Sequence, residues 1–269
     1  MLKNNRLLRT VTEIIIVTVP LFLRALGFVK GSGTVNYVFY AFSSLGALWI
    51  AADTLSVKTY SSVFSFGKSS GMGIMSYFLS FGLFLDFISS GISLALMLFG
   101  GGFVAGIAVF TKCFTSVLAL LSSAYFITVG LTFSDGRYDF RYLKLLHLAP
   151  MGWIAGRLLE MLIDAGITSA DDISAVLEYI VLALSMCFFY SLAREVENEG
   201  GARRSTVMLS FELAYFSMLY SYSRIIEIIR ARFEGVNQDA LFTVTAVTLS
   251  LFCFFFYRNI VSETNKTEN

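Results

Sequence analysis

Eight long apolar stretches, separated by short polar connections, dominate the pattern of hydrophobic and polar positions along the chain. They run Val11–Val29, Val35–Ala52, Ile74–Phe99, Phe103–Leu131, Leu143–Ile163, Ile173–Leu192, Ser205–Ile226 and Ala240–Tyr257. Each is near or above the roughly 17–25 residues that a helix needs to cross a bilayer. The stretches are too long for strands and do not alternate apolar with polar positions, which excludes a transmembrane barrel. The pattern predicts an all-α fold: a polytopic transmembrane helical bundle of about eight membrane-spanning helices, forming a single integral membrane domain over 1–269. The longest polar connections, Ser56–Gly73 and Arg194–Arg204, are too short to fold alone. Residues 258–269 read as a flexible polar tail.

The first stretch follows Lys3, Arg6 and Arg9, as the apolar part of a signal peptide would. Glu13 and Arg24 interrupt it, however, and no small-x-small cleavage site follows, so it reads as a retained first span. Pro20 and Pro150 are 130 residues apart, and Leu79-Ser80-Phe81 recurs after the same shift as Leu209-Ser210-Phe211. That shift would map spans one to four onto five to eight. Two parallel four-helix halves, as in many transporters, are therefore an open reading.

Composition strengthens the membrane assignment. Of 269 residues, 56% are hydrophobic and only 14% charged, with a mean hydropathy of +0.72. A globular chain carries roughly 25% charged residues, so this one has too little polar surface to cover itself in water. The balance of 20 Lys and Arg against 19 Asp and Glu offers no electrostatic case for nucleic acid. Cys113, Cys187 and Cys253 lie singly in apolar runs and read as packing residues. A single histidine, His147, cannot build a His-rich metal site, so no metal or cofactor is expected.

Charge distribution sets the orientation. With the N-terminus in the cytoplasm, that side receives thirteen cations: Lys3, Arg6, Arg9, Lys58, Lys68, Arg137, Arg141, Lys144, Arg194, Arg203, Arg204, Arg258 and Lys266. The other side receives three, Lys30, Arg230 and Arg232. Cytoplasmic loops carry the excess of Lys and Arg, so both termini are expected in the cytoplasm of a multi-pass cell-membrane protein. Several tyrosines, among them Tyr37, Tyr77, Tyr190 and Tyr257, fall near span ends, where the ring suits the headgroup layer.

Charges within the spans carry the functional signal, because each costs at least about 2.5–3.5 kcal/mol to insert. Asp86 stands near the middle of span three. Lys112 in span four lies across the hairpin closed by Gly100-Gly101-Gly102, with a depth mismatch of about 6 Å that a lysine stem covers. The pair reads either as a mid-membrane substrate, ion or proton site or as a structural ion pair. In span five, Arg157 and Glu160 share a helical face at i,i+3. Pro150 either kinks that span near His147 or sits harmlessly in its first turn. Glu212 in span seven has too short a stem to snorkel, which points it to an interior or cavity, whereas Arg24 is long enough to snorkel outward. Arg224, Glu227 and Arg230 look like a solvated amphipathic extension of span seven. Asp86, Lys112, Arg157, Glu160 and Glu212 are thus the candidate substrate- or ion-binding residues.

No GxSxG, GxGD, HExxH, GxxxxGK[ST] or CaaX sequence occurs, so the chain reads as a non-enzyme. Gly102-x-x-x-Gly106 could let spans three and four approach closely. The part from His147 to Glu227 resembles a group of uncharacterised integral membrane proteins of Firmicutes. The resemblance is carried by HLAPMGWIAGRLLEMLI, the acidic connection after it, LEYIVLALSMCFFYSLAREVE and a charged spacer before the next span. It implies eight spans in a bacterial inner membrane and brings no activity or ligand. Beside an intramembrane enzyme of unrecognised type, two functional readings follow. One is a small-solute transporter or channel-like protein with a mid-membrane polar site. The other is a non-catalytic sensor, assembly or accessory subunit whose partner is another membrane protein.

Overall fold

The computed structural model describes residues 6–30, 33–56, 60, 68–99, 106–136, 146–164, 173–198, 203–230 and 238–267. Among these, every regular element is helical: α1 (Arg6–Lys30), α2 (Gly33–Ser56), α3 (Ser70–Phe99), α4 (Gly106–Asp135), α5 (Ala149–Asp164), α6 (Ile173–Asn198), α7 (Arg203–Arg230) and α8 (Gln238–Thr267). Five helices are long and apolar enough to cross a membrane, through Thr34–Ser56, Ser70–Phe99, Gly106–Asp135, Ile173–Val196 and Leu241–Ser262. The others are α5, with 16 residues, and α1 and α7, which carry several charges. All-helical, multi-pass architecture is therefore borne out.

Two boundaries differ from the expected ones. A single 3-10 turn, Leu146–Leu148, leads into α5, so Pro150 sits in the first helical turn, where its missing N–H costs nothing. α8 continues to Thr267, so most of the stretch expected as a tail prolongs the helix. The glycine-rich connection after α3 lies outside the described residues.

Helices consecutive in the chain run antiparallel, and six of them close a ring. α3 packs on α4, α4 on α5, α5 on α6, α6 on α7, α7 on α8, and α8 returns to α3. The α1–α2 pair stands outside this ring and packs on α7. Two four-helix halves are thus not the packing observed: α6 packs broadly on α7, whereas α2, its counterpart under the 130-residue shift, packs on α7 rather than on α3. The helices' ends on the side of residues 6 and 267 form what we call the terminal face; the opposite ends form the distal face.

Small residues set the close approaches. Ser80 donates to the Ser123 carbonyl at 2.8 Å across the α3–α4 seam. A Cβ on Gly73 would lie 2.3 Å from Ser134 Oγ, and one on Gly130 would meet the Tyr77 ring at 2.7 Å. A Cβ on Gly106 would meet no described residue within 4 Å, and Gly102, the other half of the expected motif, lies outside the described residues. Many buried hydroxyls donate to carbonyls one turn back, as Ser76 does to Met72 and Thr115 to Thr111. That habit satisfies a polar atom without a second helix. Toward the terminal face the ring is filled by aromatic side chains: Phe126 meets Phe189 and Phe252 edge-on, and Phe188 meets Phe256. Phe22, Leu48, Leu96 and Phe110 are exposed on the perimeter, as lipid contact requires.

Candidate functional site

The distal half of the ring holds a buried ionic cluster to which all six helices contribute. Lys112 Nζ on α4 donates to Glu160 Oε2 on α5 at 2.9 Å. Arg157, one turn before Glu160, donates to the same oxygen at 3.4 Å. Its other terminal nitrogen lies 3.7 Å from Glu178 Oε1 on α6. Tyr220 on α7 donates to Glu178 Oε2 at 3.2 Å. The guanidinium sits 4.8 Å from the ring centroid of Phe242 on α8, a cation–π distance. Asp86 on α3 completes the set: it accepts from Trp153 Nε1 at 2.7 Å and acts electrostatically on Arg157. Cations and carboxylates alternate along this path, which is how ions survive away from water.

Burial decides that none of these groups snorkels. Asp86 is 2% exposed, Lys112 5%, Arg157 6% and Glu160 7%. Arg157 Nε and Glu160 Oε1 are buried with no hydrogen-bond partner among the described residues. One donor and one acceptor of the same network are therefore left over where an unmade hydrogen bond costs about 1–3 kcal/mol.

A second polar set lies one turn closer to the distal face. Arg24 on α1 donates from Nε to Ser223 Oγ at 3.1 Å, and from Nη2 to Ser174 Oγ at 3.3 Å and Glu227 Oε1 at 3.1 Å. Ser174 also donates to Glu227, and Arg224 Nη1 donates to Glu227 Oε2 at 2.8 Å. Ser174 precedes Glu178 by one turn of α6, and Ser223 follows Tyr220 by one turn of α7. Arg24 thus spans the α6–α7 seam directly above the ionic cluster.

Several expectations are corrected by this geometry. Lys112 gives its ammonium to Glu160, and Asp86 is held by Trp153, so the expected Asp86–Lys112 pair is replaced by two cross-helix partners. Depth explains the exchange. Lys112 and Glu160 lie about 9 Å and 6 Å below the distal ends of their helices, whereas Asp86 and Trp153 lie roughly 20 Å and 16 Å below theirs. Arg24 does not snorkel but turns inward to a carboxylate and two serines. Arg224 and Glu227 are half-buried members of that set rather than a solvated face. Glu212 is half-buried on α7, about 12 Å along the helix from Tyr220 toward the terminal face, and stands apart from the cluster.

Glu178, Trp153, Tyr220 and Phe242 were not among the sequence candidates. Glu178 offered a signal, a carboxylate within the apolar stretch Ile173–Leu192, that the sequence reading did not weigh. Nothing local distinguishes the three aromatic residues from the chain's many others. The chain matches no protein-family model, no curated protein and no solved structure.

Proposed function

We propose that the protein is a non-enzymatic small-solute transporter of the cell membrane, with both termini cytoplasmic and all eight helices spanning the bilayer. In this reading the ionic cluster is the solute site, and the resemblance to Firmicutes membrane proteins favours a bacterial inner membrane. One observation carries the reading: six helices converge on a buried cluster that retains a donor, Arg157 Nε, and an acceptor, Glu160 Oε1, with no hydrogen-bond partner among the described residues. A core built only for stability gains little from buried ions, since apolar replacements of equal volume are often as stable. Polar groups deep in a membrane protein commonly mark solute or ion pathways. Helices α5 and α7, too charged or too short to be read as ordinary spans, turn Arg157, Glu160 and Tyr220 into the ring and can carry the polar lining.

The mixed signs suit a zwitterion. Arg157 would receive its carboxylate, and Glu160 its ammonium. Free amino acids, with neutral sugars as controls, should be screened for thermal stabilisation of the detergent-solubilised protein. At a hundred times its Kd, a ligand adds about 2.7 kcal/mol. At least one amino acid is expected to raise the unfolding temperature, with the effect lost in Glu160→Gln, and to be taken up by proteoliposomes. If no zwitterion stabilises the protein, the transport reading falls and the accessory-subunit reading takes its place.

A further inference from the structure

The two approaches to the ionic cluster are unequal. On the terminal side, Phe126, Phe188, Phe189, Phe252 and Phe256 fill the ring. The two on α8 lie about 15 Å and 21 Å along the helix from Phe242. On the distal side a single layer of side chains intervenes. Arg224 and Glu227 stand half-buried at its rim, and Arg24, Ser174 and Ser223 are buried within it. Glu178 and Tyr220 of the cluster lie one turn below. Of the five residues in the layer, only Arg24 comes from outside the ring, on a helix that packs chiefly on α2 and α7.

We infer that Arg24 is a latch on the α6–α7 seam, and that α1 beyond Pro20 is the strap that carries it to and from the mouth of the cluster. The strap has a hinge. Pro20 stands one turn before Arg24 and has no N–H for the Ile16 carbonyl, the Tyr215 contact that replaces it is long at 3.5 Å, and prolines are where helices bend. Release strands no carboxylate. Arg24 holds Glu227 Oε1, which Ser174 also serves, while Arg224 holds Oε2 at 2.8 Å and stays behind. The freed guanidinium has somewhere to go, too. Arg24 lies about 9 Å below the distal end of α1, a depth from which an arginine reaches the headgroups. The closed position is the one observed. In the open one, Arg24 snorkels, Glu227 keeps Arg224, and the seam above Glu178 and Tyr220 is uncovered.

The latch rests on the transport reading for its purpose, as the distal gate of that same site, but its test needs no solute. In protein lacking Cys113 and Cys187, with Cys253 wholly buried, a reporter thiol is placed under the guanidinium by Ser223→Cys, or one turn deeper by Glu178→Cys. A small methanethiosulfonate in detergent solution should modify both slowly. Arg24→Met should speed both at least about tenfold, the worth of one hydrogen bond to a charged group. Arg224→Met should instead slow both, because Glu227 is then left with Arg24 as its one cation among the described residues. A general loosening of the fold would speed labelling in both variants, so the opposite signs separate a latch from a merely structural contact. Should Arg24→Met fail to fold, the slowing by Arg224→Met decides alone. The proposal is overturned by rates unchanged in Arg24→Met, by rates unchanged or raised in Arg224→Met, or by acceleration confined to Ser223→Cys, which would put Arg24 beside the path and not across it. A failed solute screen would leave these rates unaffected, and flat rates would leave the solute site standing, so the two ideas fail separately.

Discussion

Tyr215 on α7 donates its hydroxyl to the backbone carbonyl of Ile16 on α1, at 3.5 Å. That carbonyl lies four residues before Pro20, which has no N–H to give it. A side chain from another helix therefore supplies, through a long contact, the donor that proline removed. Such rescue lets a membrane helix tolerate an interior proline. It also ties α1 to the ring in mid-helix, between the terminal-face half and the half that carries Arg24. Tyr215→Phe should lower stability by about 0.5–1.5 kcal/mol, the usual worth of one hydrogen bond. In a Pro20→Ala background the same change should cost less, because the restored backbone N–H at that position can serve the Ile16 carbonyl. A double-mutant cycle of unfolding free energies decides it; strict additivity would mean that the tyrosine does not serve that carbonyl.

The same joint needs a glycine on α2. A Cβ on Gly46 would lie 2.6 Å from Tyr215 Oη and 3.0 Å from Ile16 Cγ2. Gly46→Ala should therefore destabilise by about 1–3 kcal/mol, as overpacking does. Removing the hydroxyl in Gly46→Ala/Tyr215→Phe should recover part of that loss. Thermal unfolding of the four proteins in one detergent is the measurement.

Lys112 and Glu160 make the shortest ion pair of the cluster. Lys112→Met should cost about 3–5 kcal/mol, since it withdraws one of two cations from a buried carboxylate. Lys112→Met with Glu160→Gln should recover much of the loss, because no unmatched charge is then added. Chemical unfolding of the three proteins checks it. Were the double variant no more stable than Lys112→Met alone, the pair would not be the stabilising unit.

Orientation is testable independently of function. In a background without Cys113 and Cys187, which are exposed on the helix perimeter, single cysteines should be placed by Ser70→Cys, Gly200→Cys, Ser32→Cys and Ser169→Cys. A membrane-impermeant thiol reagent applied to intact cells should reach the last two and miss the first two. The reverse pattern would invert the proposed topology.

Legibility from sequence divides along a physical line. The helices were readable because apolar length is a local property and the bilayer imposes it on each span separately. Pro150 and α8 show the edge of that power: the proline's effect depended on where the helix began, and the polar end of α8 gave no stop signal. Asp86, Lys112, Arg157 and Glu160 were recognisable as costly residues for the same local reason. Their pairing was not, since it depends on which helices become neighbours and at what relative depth.

By itself, then, the sequence determined an all-helical chain that passes the membrane several times, and named four of the charges that need shelter. Only the tertiary structure decided the six-helix ring, the exile of α1 and α2 to its outside, and the partners of each ion. Hydrophobic length acts on one helix at a time. A buried charge is satisfied by whichever group lies within about 3–4 Å, and that group comes from Glu178, 21 residues from Arg157, or from Glu227, 203 residues from Arg24. No local pattern in the chain encodes such a distance; the packing of α5 on α6 and of α1 on α7 brings it about.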